Sequence, residues 1–572
     1  MEKNKVYFVS ALITFFFFVL VLRLFNIQIL EKQKFISYIE KQYQMKESIV
    51  LPRGAILDRN GDIFAISVPT ISIFAIPEYI KNKEKLAKEL SKILKIPERK
   101  ILRKLKRKKH YTVIAENVDK KLKPRLLELR KDLQEWNLGI LESSKRFYPL
   151  GDVAGTTIGF VNRKTGVGME GLEYKLNKKL GGGLGKILLM KDALGNPFTI
   201  EKKLFTRKQF NAQLTIDKNI QFMAEKALEK LVFLRKPKEA AVLILDPYTG
   251  DILAAATYPD YNPNKYWLYK NHRNIIFQNA YEPGSLAKPF IYALAYEKEI
   301  LNPKKRYYCG NGKIKIGRRI IRDHARFKYL TADEIIIHSS NVGIIKIALE
   351  LDKNEIYNFL KKAGFGTSTK TFPGEASGIL RKPYGKGEVA YMSIGQSWIA
   401  SIIQIGMAYS AIANGGWLLK PRLVKSFIDT KTGEKEEVPV VKVRKLFKKE
   451  TVEKLKEVLK LVVEEGTAKP GKSKFFTIAG KTGTAQKYDP KIKSLSREKH
   501  YTWFAGFFPV EKPKYTIVIF ANEPKQIYKW EHIGGGKVSS TVMKELIDQL
   551  MFYSKEKPDK VSVWTPFRGN KK

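Results

Sequence analysis

The stretch Tyr281-Glu-Pro-Gly-Ser-Leu-Ala-Lys288 pairs two side chains that could do covalent chemistry. A Pro-Gly turn delivers Ser285 to the mouth of an apolar helix, and Lys288 follows three residues later. Positions i and i+3 share a helix face, so Ser285 Oγ and Lys288 Nζ can meet. A serine hydroxyl is a poor nucleophile until a base takes its proton, and a lysine serves once burial or a nearby cation depresses its pKa. This spacing recurs in many chains, so its meaning depends on the other residues. His324 and His338 flank the region and read as hydrogen-bonded structural histidines before catalytic ones. Arg322, Asp323 and His324 form a candidate polar network, Glu282 a candidate helix cap, and Gln396 and Trp503 candidate cleft or packing residues. No cluster has metal-ligand spacing, and neither metal nor cofactor is expected.

The elements that must position Ser285 begin near residue 212. Asp217 is an N-cap for an apolar-periodic helix from Asn219 to Val232. Two small or β-branched runs, Ala240–Leu245 and Ile252–Thr257, flank Asp246-Pro-Tyr-Thr-Gly250 and predict an antiparallel hairpin. Residues 330–363 read as helical, interrupted at His338-Ser-Ser-Asn341. Strands are expected at Ile478–Ala485, Tyr501–Phe508 and Tyr515–Ala521, with a closing helix at Val538–Phe552. The sum is a five-stranded antiparallel sheet, two strands early and three late, with helices inserted between and packed outside. After Ser554 the chain is Lys/Pro-rich and expected to be mobile.

Upstream lies a different texture. Residues 6–22 carry no charge, and apolar character resumes after Arg23; this predicts an uncleaved signal anchor, with Arg23 snorkelling to the interface. Everything after residue 30 is then expected outside the cytoplasm. Asn60-Gly61 signals a hairpin, and Arg53, Asp58 and Arg59 read as an ion-pair lattice. Residues 80–137 read as helices with Lys/Arg faces, and the run from Arg99 to Lys109 as a solvated face rather than a lipid or wall-polymer site. Arg146-Phe-Tyr-Pro149, Gly168–Glu173 and Gly181–Gly185 read as strand ends and turns of an elongated β-rich module.

At 572 residues the chain should hold two or more domains. Its net charge of +48 first brings nucleic acid to mind. The basic residues are spread along the chain and interleaved with Glu, and no zinc-finger spacing or RNA-binding signature occurs, so nucleic acid is not an expected partner. The single cysteine, Cys309, precludes an intrachain disulfide and reads as a small, partly apolar residue.

Three short motifs line up in one order: Ser285-x-x-Lys288, Ser339-x-Asn341 and Lys481-Thr-Gly-Thr484. With a helix start, a helix–helix loop and a sheet strand as contexts, this trio resembles that of penicillin-binding proteins and β-lactamases. The fragments Arg53–Gly61, Arg146–Pro149, Gly168–Glu173, Leu214–Asp217, Tyr281–Ser285, Pro373–Glu375, Ser393–Gln396 and Asn414–Gly416 extend the resemblance to class B penicillin-binding proteins. Ile66-Ser-Val-Pro69 and the modest length are most similar to the septal, FtsI-type branch.

The resemblance implies a peptidoglycan D,D-transpeptidase of α+β multidomain architecture. A cytoplasmic stub and transmembrane anchor (1–30) would lead to a pedestal or dimerisation-type module (31–211), a penicillin-binding transpeptidase domain (212–553) and a basic flexible tail (554–572). It implies Ser285 as nucleophile, Lys288 as base, Ser339 as proton relay to the leaving nitrogen, and Asn341 as the group orienting Lys288 and the substrate amide. Lys481, Thr482, Gly483 and Thr484 would grip the terminal carboxylate, and the backbone N–H groups of Ser285 and Thr484 would form the oxyanion hole. A Lys481 ammonium about 4 Å away at an effective dielectric of 20 would disfavour charging Lys288 by about 4 kcal/mol. Strand alternation puts Lys481 and Gly483 on one face and Thr482 and Thr484 on the other, so a single pocket needs some compensation. Implied partners are peptidoglycan stem peptides, membrane lipid, an FtsW-type glycan polymerase with divisome proteins, and β-lactams as covalent inhibitors. The same fold also hosts the elongation-complex transpeptidase, D,D-carboxypeptidases, β-lactamases and β-lactam-sensing receptors. No acidic residue is evidently placed to activate a deacylating water, and five residues before the span leave no room for a cytoplasmic effector.

Overall fold

The N-terminal helix, Glu2–Phe25, exposes phenylalanine, leucine and valine on every side. With the turn that follows, Lys3–Leu30 is long and apolar enough to cross a membrane, and none of its most apolar stretch is buried in protein. A helix apolar all round belongs in lipid or a core, and among the described residues none covers it. The computed structural model describes residues 2–34, 44–107, 112–191, 197–203, 208–302, 304–489, 494–528 and 533–560.

The upstream module is built on the long strand Ile63–Ala75, which pairs antiparallel with Leu138–Phe147 and Thr112–Asp119. Helices Lys83–Leu94, Glu98–Leu105 and Lys123–Asp132 pack over it through Leu86, Leu90, Ile101 and Leu126 against Ile71 and Ile73. The all-helical expectation for 80–137 is therefore corrected. Thr112–Asp119 opens on the β-branched run Thr112-Val-Ile114 and completes the sheet, an override of the surrounding helical texture by pairing. From Arg99 to Arg107 only Ile101 and Leu105 are buried, which leaves a solvated basic face; Lys108 and Lys109 lie outside the described residues.

The Asn60-Gly61 hairpin forms, with Asp58 accepting from the N–H groups of Asn60 (2.7 Å) and Asp62 (2.9 Å). The expected Arg53–Asp58–Arg59 lattice does not. Arg53 is buried and donates Nε to Glu173 (2.9 Å), whose other oxygen takes Arg146 Nε at 2.6 Å. Three distant fragments thus meet in one knot, because a buried guanidinium needs a carboxylate and carbonyls around it.

The strand Phe210–Leu214 pairs with Ile56–Leu57 on one side and Val424–Asp429 on the other. Seven strands from both halves of the chain so share a sheet, and a boundary at 211/212 falls inside a strand.

Downstream, the five strands run in the order Ile252–Tyr258, Glu239–Leu245, Tyr515–Asn522, Ser494–Phe508, Ala479–Asp489, all antiparallel. Asp217 caps helix Lys218–Arg235 by accepting from Asn219 N (2.9 Å) and Ile220 N (3.3 Å). That helix and the closing helix Gly535–Tyr553 lie together on the sheet, while Gly406 of helix Ile402–Ala413 meets Leu243, Leu245 and Val518. Helix Lys288–Glu297 is buried from Lys288 to Ala295, so its lysine starts a core element. The tail expected to be mobile is tied down as far as it is described. Asp559 accepts from Thr477 N (2.7 Å), and Lys560 pairs with Glu464 (2.6 Å). Residues 561–572 lie outside the described residues.

Candidate active site

Ser285 lies in a 3-10 turn, Gly284–Ala287, that runs into helix Lys288–Glu297. Gly284 has φ +56, a left-handed conformation glycine adopts without strain, and donates its N–H to Gly395 O (3.0 Å). A Cβ on Gly395 would come within 1.9 Å of Gly284 O, so the Ser393–Gln396 fragment is a buttress of the nucleophile turn. Trp503 is buried and donates Nε1 to Glu282 O (3.0 Å); it packs beneath the turn. Glu282 accepts from Ser397 N (3.3 Å), a tie to the buttress loop in place of the expected helix cap. Ser285 is half-buried, and among the described residues its hydroxyl makes no hydrogen bond.

Lys288 is fully buried, and its amine turns to the helix–helix loop. Nζ donates to Ser339 O (2.6 Å), Ser339 Oγ (3.2 Å) and Asn341 Oδ1 (2.8 Å). Burial lowers its pKa from 10.5 to about 7, with the Asp323 carboxylate pulling the other way. The loop is shaped for this contact. Ser339 sits at φ +58, uncommon for a non-glycine residue, and Asn341 Nδ2 donates to Arg322 O (2.8 Å), which leaves Oδ1 to face the amine.

Lys481 lies on the edge strand, fully buried, with Nζ donating to Thr482 O (3.3 Å). Its pKa is driven well below the ordinary lysine value, first by burial and then by Lys288. The expected order of causes is thus reversed. Desolvation is what lowers Lys288, and Lys288 in turn adds to the lowering of the buried Lys481.

Strand alternation holds as expected, and the edge position resolves the difficulty it raised. Lys481 and Gly483 face the nucleophile turn: a Cβ on Gly483 would stand 2.7 Å from Pro283 O and 3.1 Å from Leu286 Cγ. Thr482 and Thr484 face the closing helix, where Thr482 Oγ1 meets Thr467 Oγ1 at 2.7 Å and Gly535 N donates to Thr484 Oγ1 at 3.0 Å. The four residues therefore offer two surfaces, an amine beside Lys288 and a pair of hydroxyls across the strand. Between them the strand pairs on one side only among the described residues, since Ala479–Asp489 is the last of the sheet. A Cβ on Gly284 would lie 3.4 Å from Thr484 N, which places that N–H beside the nucleophile turn.

Sequence reasoning missed Thr467, which follows a helix with no signal of its own, and undervalued Asp323. The latter accepts from Ser340 Oγ (2.7 Å), Val342 N (3.1 Å) and Asn341 N. His324 packs edge-on to Phe327, which stacks on His338, an aromatic cluster in keeping with the structural reading of both histidines. Cys309 is buried, with Sγ near Tyr307 O.

The chain was compared with known proteins. Residues 240–548 match the penicillin binding protein transpeptidase domain, and residues 48–210 the penicillin-binding protein dimerisation domain. The peptidoglycan D,D-transpeptidase FtsI of Buchnera aphidicola subsp. Schizaphis graminum is 30% identical over 560 residues, covering 96% of this chain and 95% of its own. The probable peptidoglycan D,D-transpeptidase PenA of Neisseria meningitidis serogroup A is 31% identical over 492 residues, 84% of this chain and 81% of its own. Among solved structures, penicillin binding protein 2X from Streptococcus thermophilus superposes with a TM-score of 0.77 at 25% identity, covering 89% of this chain and 81% of that one. A transpeptidase match over more than half the chain, preceded by the dimerisation match, agrees with the fold traced above, and the chain belongs to the penicillin-binding proteins.

Proposed function

We propose that this transpeptidase cross-links peptidoglycan through an acyl-enzyme on Ser285. Ser285 Oγ attacks the carbonyl between the last two D-alanines of a stem peptide, and Lys288 Nζ takes the hydroxyl proton. The C–N bond then breaks, the proton passes by way of Ser339 Oγ to the departing D-alanine amine, and Ser285 holds the acyl group. An amine of a second stem peptide displaces Ser285 and returns its proton along the same path. The N–H groups of Ser285 and Thr484 receive the oxyanion; losing one such donor typically costs roughly 2.7–4 kcal/mol. Asn341 holds Lys288 and the substrate amide, while Thr482 and Thr484 hydroxyls, with Lys481 across the strand, take the terminal carboxylate. Gly483 lets the peptide lie close as an added strand. A β-lactam enters the same path and stops at the acyl-enzyme.

The observation that carries this reading is the buried Lys288 amine, brought to a pKa of about 7 and held by Ser339 and Asn341 one turn from Ser285. The test is a labelled penicillin: it should attach to Ser285, and label retained by Ser285→Ala refutes the assignment. Purified protein supplied with nascent glycan should form cross-linked dimers; trimmed peptides alone would indicate a carboxypeptidase.

The finer placement is septal. The apolar N-terminal helix would anchor the chain in the cytoplasmic membrane with its N-terminus inside. Residues 31–211 would act as pedestal and residues 212–553 as catalytic domain outside, beside an FtsW-type glycan polymerase and divisome proteins. Ile66-Ser-Val-Pro69 and the FtsI name of the Buchnera relative support this. Depletion should give filaments; rounded cells would place the chain in the elongation complex.

A further inference from the structure

We propose that Asp323 is a positioning residue of the acylation step, one that sets the Ser339–Asn341 turn against Lys288 and opposes the loss of its proton. This rests on Lys288 being the base. The Asp323 carboxylate accepts from Ser340 Oγ (2.7 Å), Val342 N (3.1 Å) and Asn341 N. Those donors are the start of helix Asn341–Leu349, whose first N–H groups have no partner within the helix. Its own backbone is fixed, since Asp323 N donates to Gly312 O at 2.9 Å. Asp323 therefore ties the hairpin Lys313–Ile316/Arg319–Arg322 to the turn where Ser339 holds its strained φ of +58. That conformation turns Ser339 O and Oγ toward Lys288 Nζ. Ser340, the middle residue of the Ser-x-Asn motif, acts inward: its Oγ also takes Gly343 N at 2.9 Å.

The charge matters as well as the shape. Lys288 acts on Lys481 of the edge strand and on His324 next to Asp323, and Asp323 acts on His324 and on Cys309 behind the turn; His338, at the end of the preceding helix, acts on His324, and Lys346 on Cys309. Lys481 is held well below the ordinary lysine range, first by burial and then by Lys288. His324 is held below the ordinary histidine range, first by desolvation and then by Lys288. Among the described residues Asp323 is the carboxylate acting on Lys288, and it raises what burial lowers. Without it Lys288 would give up its proton at lower pH and become a weaker base.

Asp323→Asn separates the two roles. An asparagine keeps Oδ1 for the N–H groups of Asn341 and Val342 and offers Nδ2 to Ser340 Oγ, but carries no charge. The second-order rate of labelling by a fluorescent penicillin is measured on the full chain from pH 5 to 9, for the wild type and Asp323→Asn. His324→Gln versions of both ensure that the limb read belongs to Lys288. The acid limb should move down by about one to three pH units, the range for removing an opposite charge within a few ångströms. Asp323→Ala, which removes the acceptors too, should label more slowly at every pH. An Asp323→Asn limb that stays in place overturns the proposal. So does a uniformly slower rate without displacement, which would make Asp323 merely a cap. Lys288→Ala distinguishes the underlying reading: normal labelling of that variant would remove Lys288 as base, whatever Asp323 does.

Discussion

Replacing Lys288 by methionine should erase a pH-dependent stability deficit that the wild type carries. A lysine in an unfolded chain titrates near 10.4, whereas the buried Lys288 titrates at about 7. Between those values the unfolded chain binds more protons than the folded one, so the wild type gains stability as pH rises through this window. At pH 7 the folded lysine is half protonated and the unfolded one fully so. The linkage then disfavours folding by about 4 kcal/mol, and at pH 9 by about 2 kcal/mol. Lys288→Met keeps the length and fills the core site without the charge. It strands Ser339 O and Asn341 Oδ1, which costs about 1–3 kcal/mol for each buried acceptor left unpaired. That penalty does not change with pH. Lys481, also buried and driven well below its ordinary value, is present in both proteins, so it stands on both sides of the comparison.

The quantity to read is therefore a difference of differences. The stability of the wild type relative to Lys288→Met should climb by about 2 kcal/mol from pH 7 to pH 9. Urea unfolding of both full chains in detergent at pH 7, 8 and 9 measures it. The fluorescence of Trp398 and Trp503, each 1% exposed and both in the downstream half, reports the relevant part. A gap that stays flat, or moves the other way, would mean that Lys288 keeps its ammonium in the free enzyme and that desolvation has been given too much weight.

The wild-type rate of penicillin labelling should rise with pH through about 7, because the neutral amine is the reactive form and it accumulates above that value. Glu173→Gln should lower stability by about 3–5 kcal/mol, since it leaves the buried Arg53 and Arg146 without their shared carboxylate; thermal melting reads this, and penicillin labelling of the protein that remains folded should persist. Gly483→Ala should slow labelling roughly 5- to 150-fold, the equivalent of about 1–3 kcal/mol of overpacking, as its methyl group pushes Pro283 and Leu286 off the edge strand. Removal of residues 1–30 should release the protein from the membrane fraction with Ser285 labelling intact.

What the sequence discloses follows the range of the interactions involved. The five strands were legible because each is a short β-branched or small-residue run between Pro- or Gly-bearing turns, and Asp217 because an N-cap acts within three residues. The three motifs were legible for a similar reason: each is a local pattern that sits at an element boundary. Thr112–Asp119 was not, because its neighbours are Lys/Arg-rich and only pairing with Ile63–Ala75 reveals a strand. The fragments around Arg53, Arg146 and Glu173 were recognisable singly, but Arg53 and Glu173 are 120 residues apart and their ion pair has no local signature. Asp323 stood among polar residues as one of several, and only the distances to Ser340 and Val342 single it out.

The same reasoning explains why the sequence misjudged which lysine perturbs which. From the motifs alone Lys481 is a surface-like cation on a strand, and a cation nearby is the simplest way to lower Lys288. The fold instead buries both amines completely, and burial disfavours the charged form of each. Lys481 is driven well below its ordinary value, first by that burial and then by Lys288. In the proposed reaction, a peptide carboxylate seated on the Thr482 and Thr484 hydroxyls brings a negative charge within one residue of Lys481 and favours its protonation. A Lys481 ammonium favoured in this way does what the motif implies, and holds Lys288 neutral by repulsion while Asp323 keeps its basicity from falling too far. On this account substrate favours the cationic form of the strand lysine, and the base is kept ready by the arrival of the group it is to act upon.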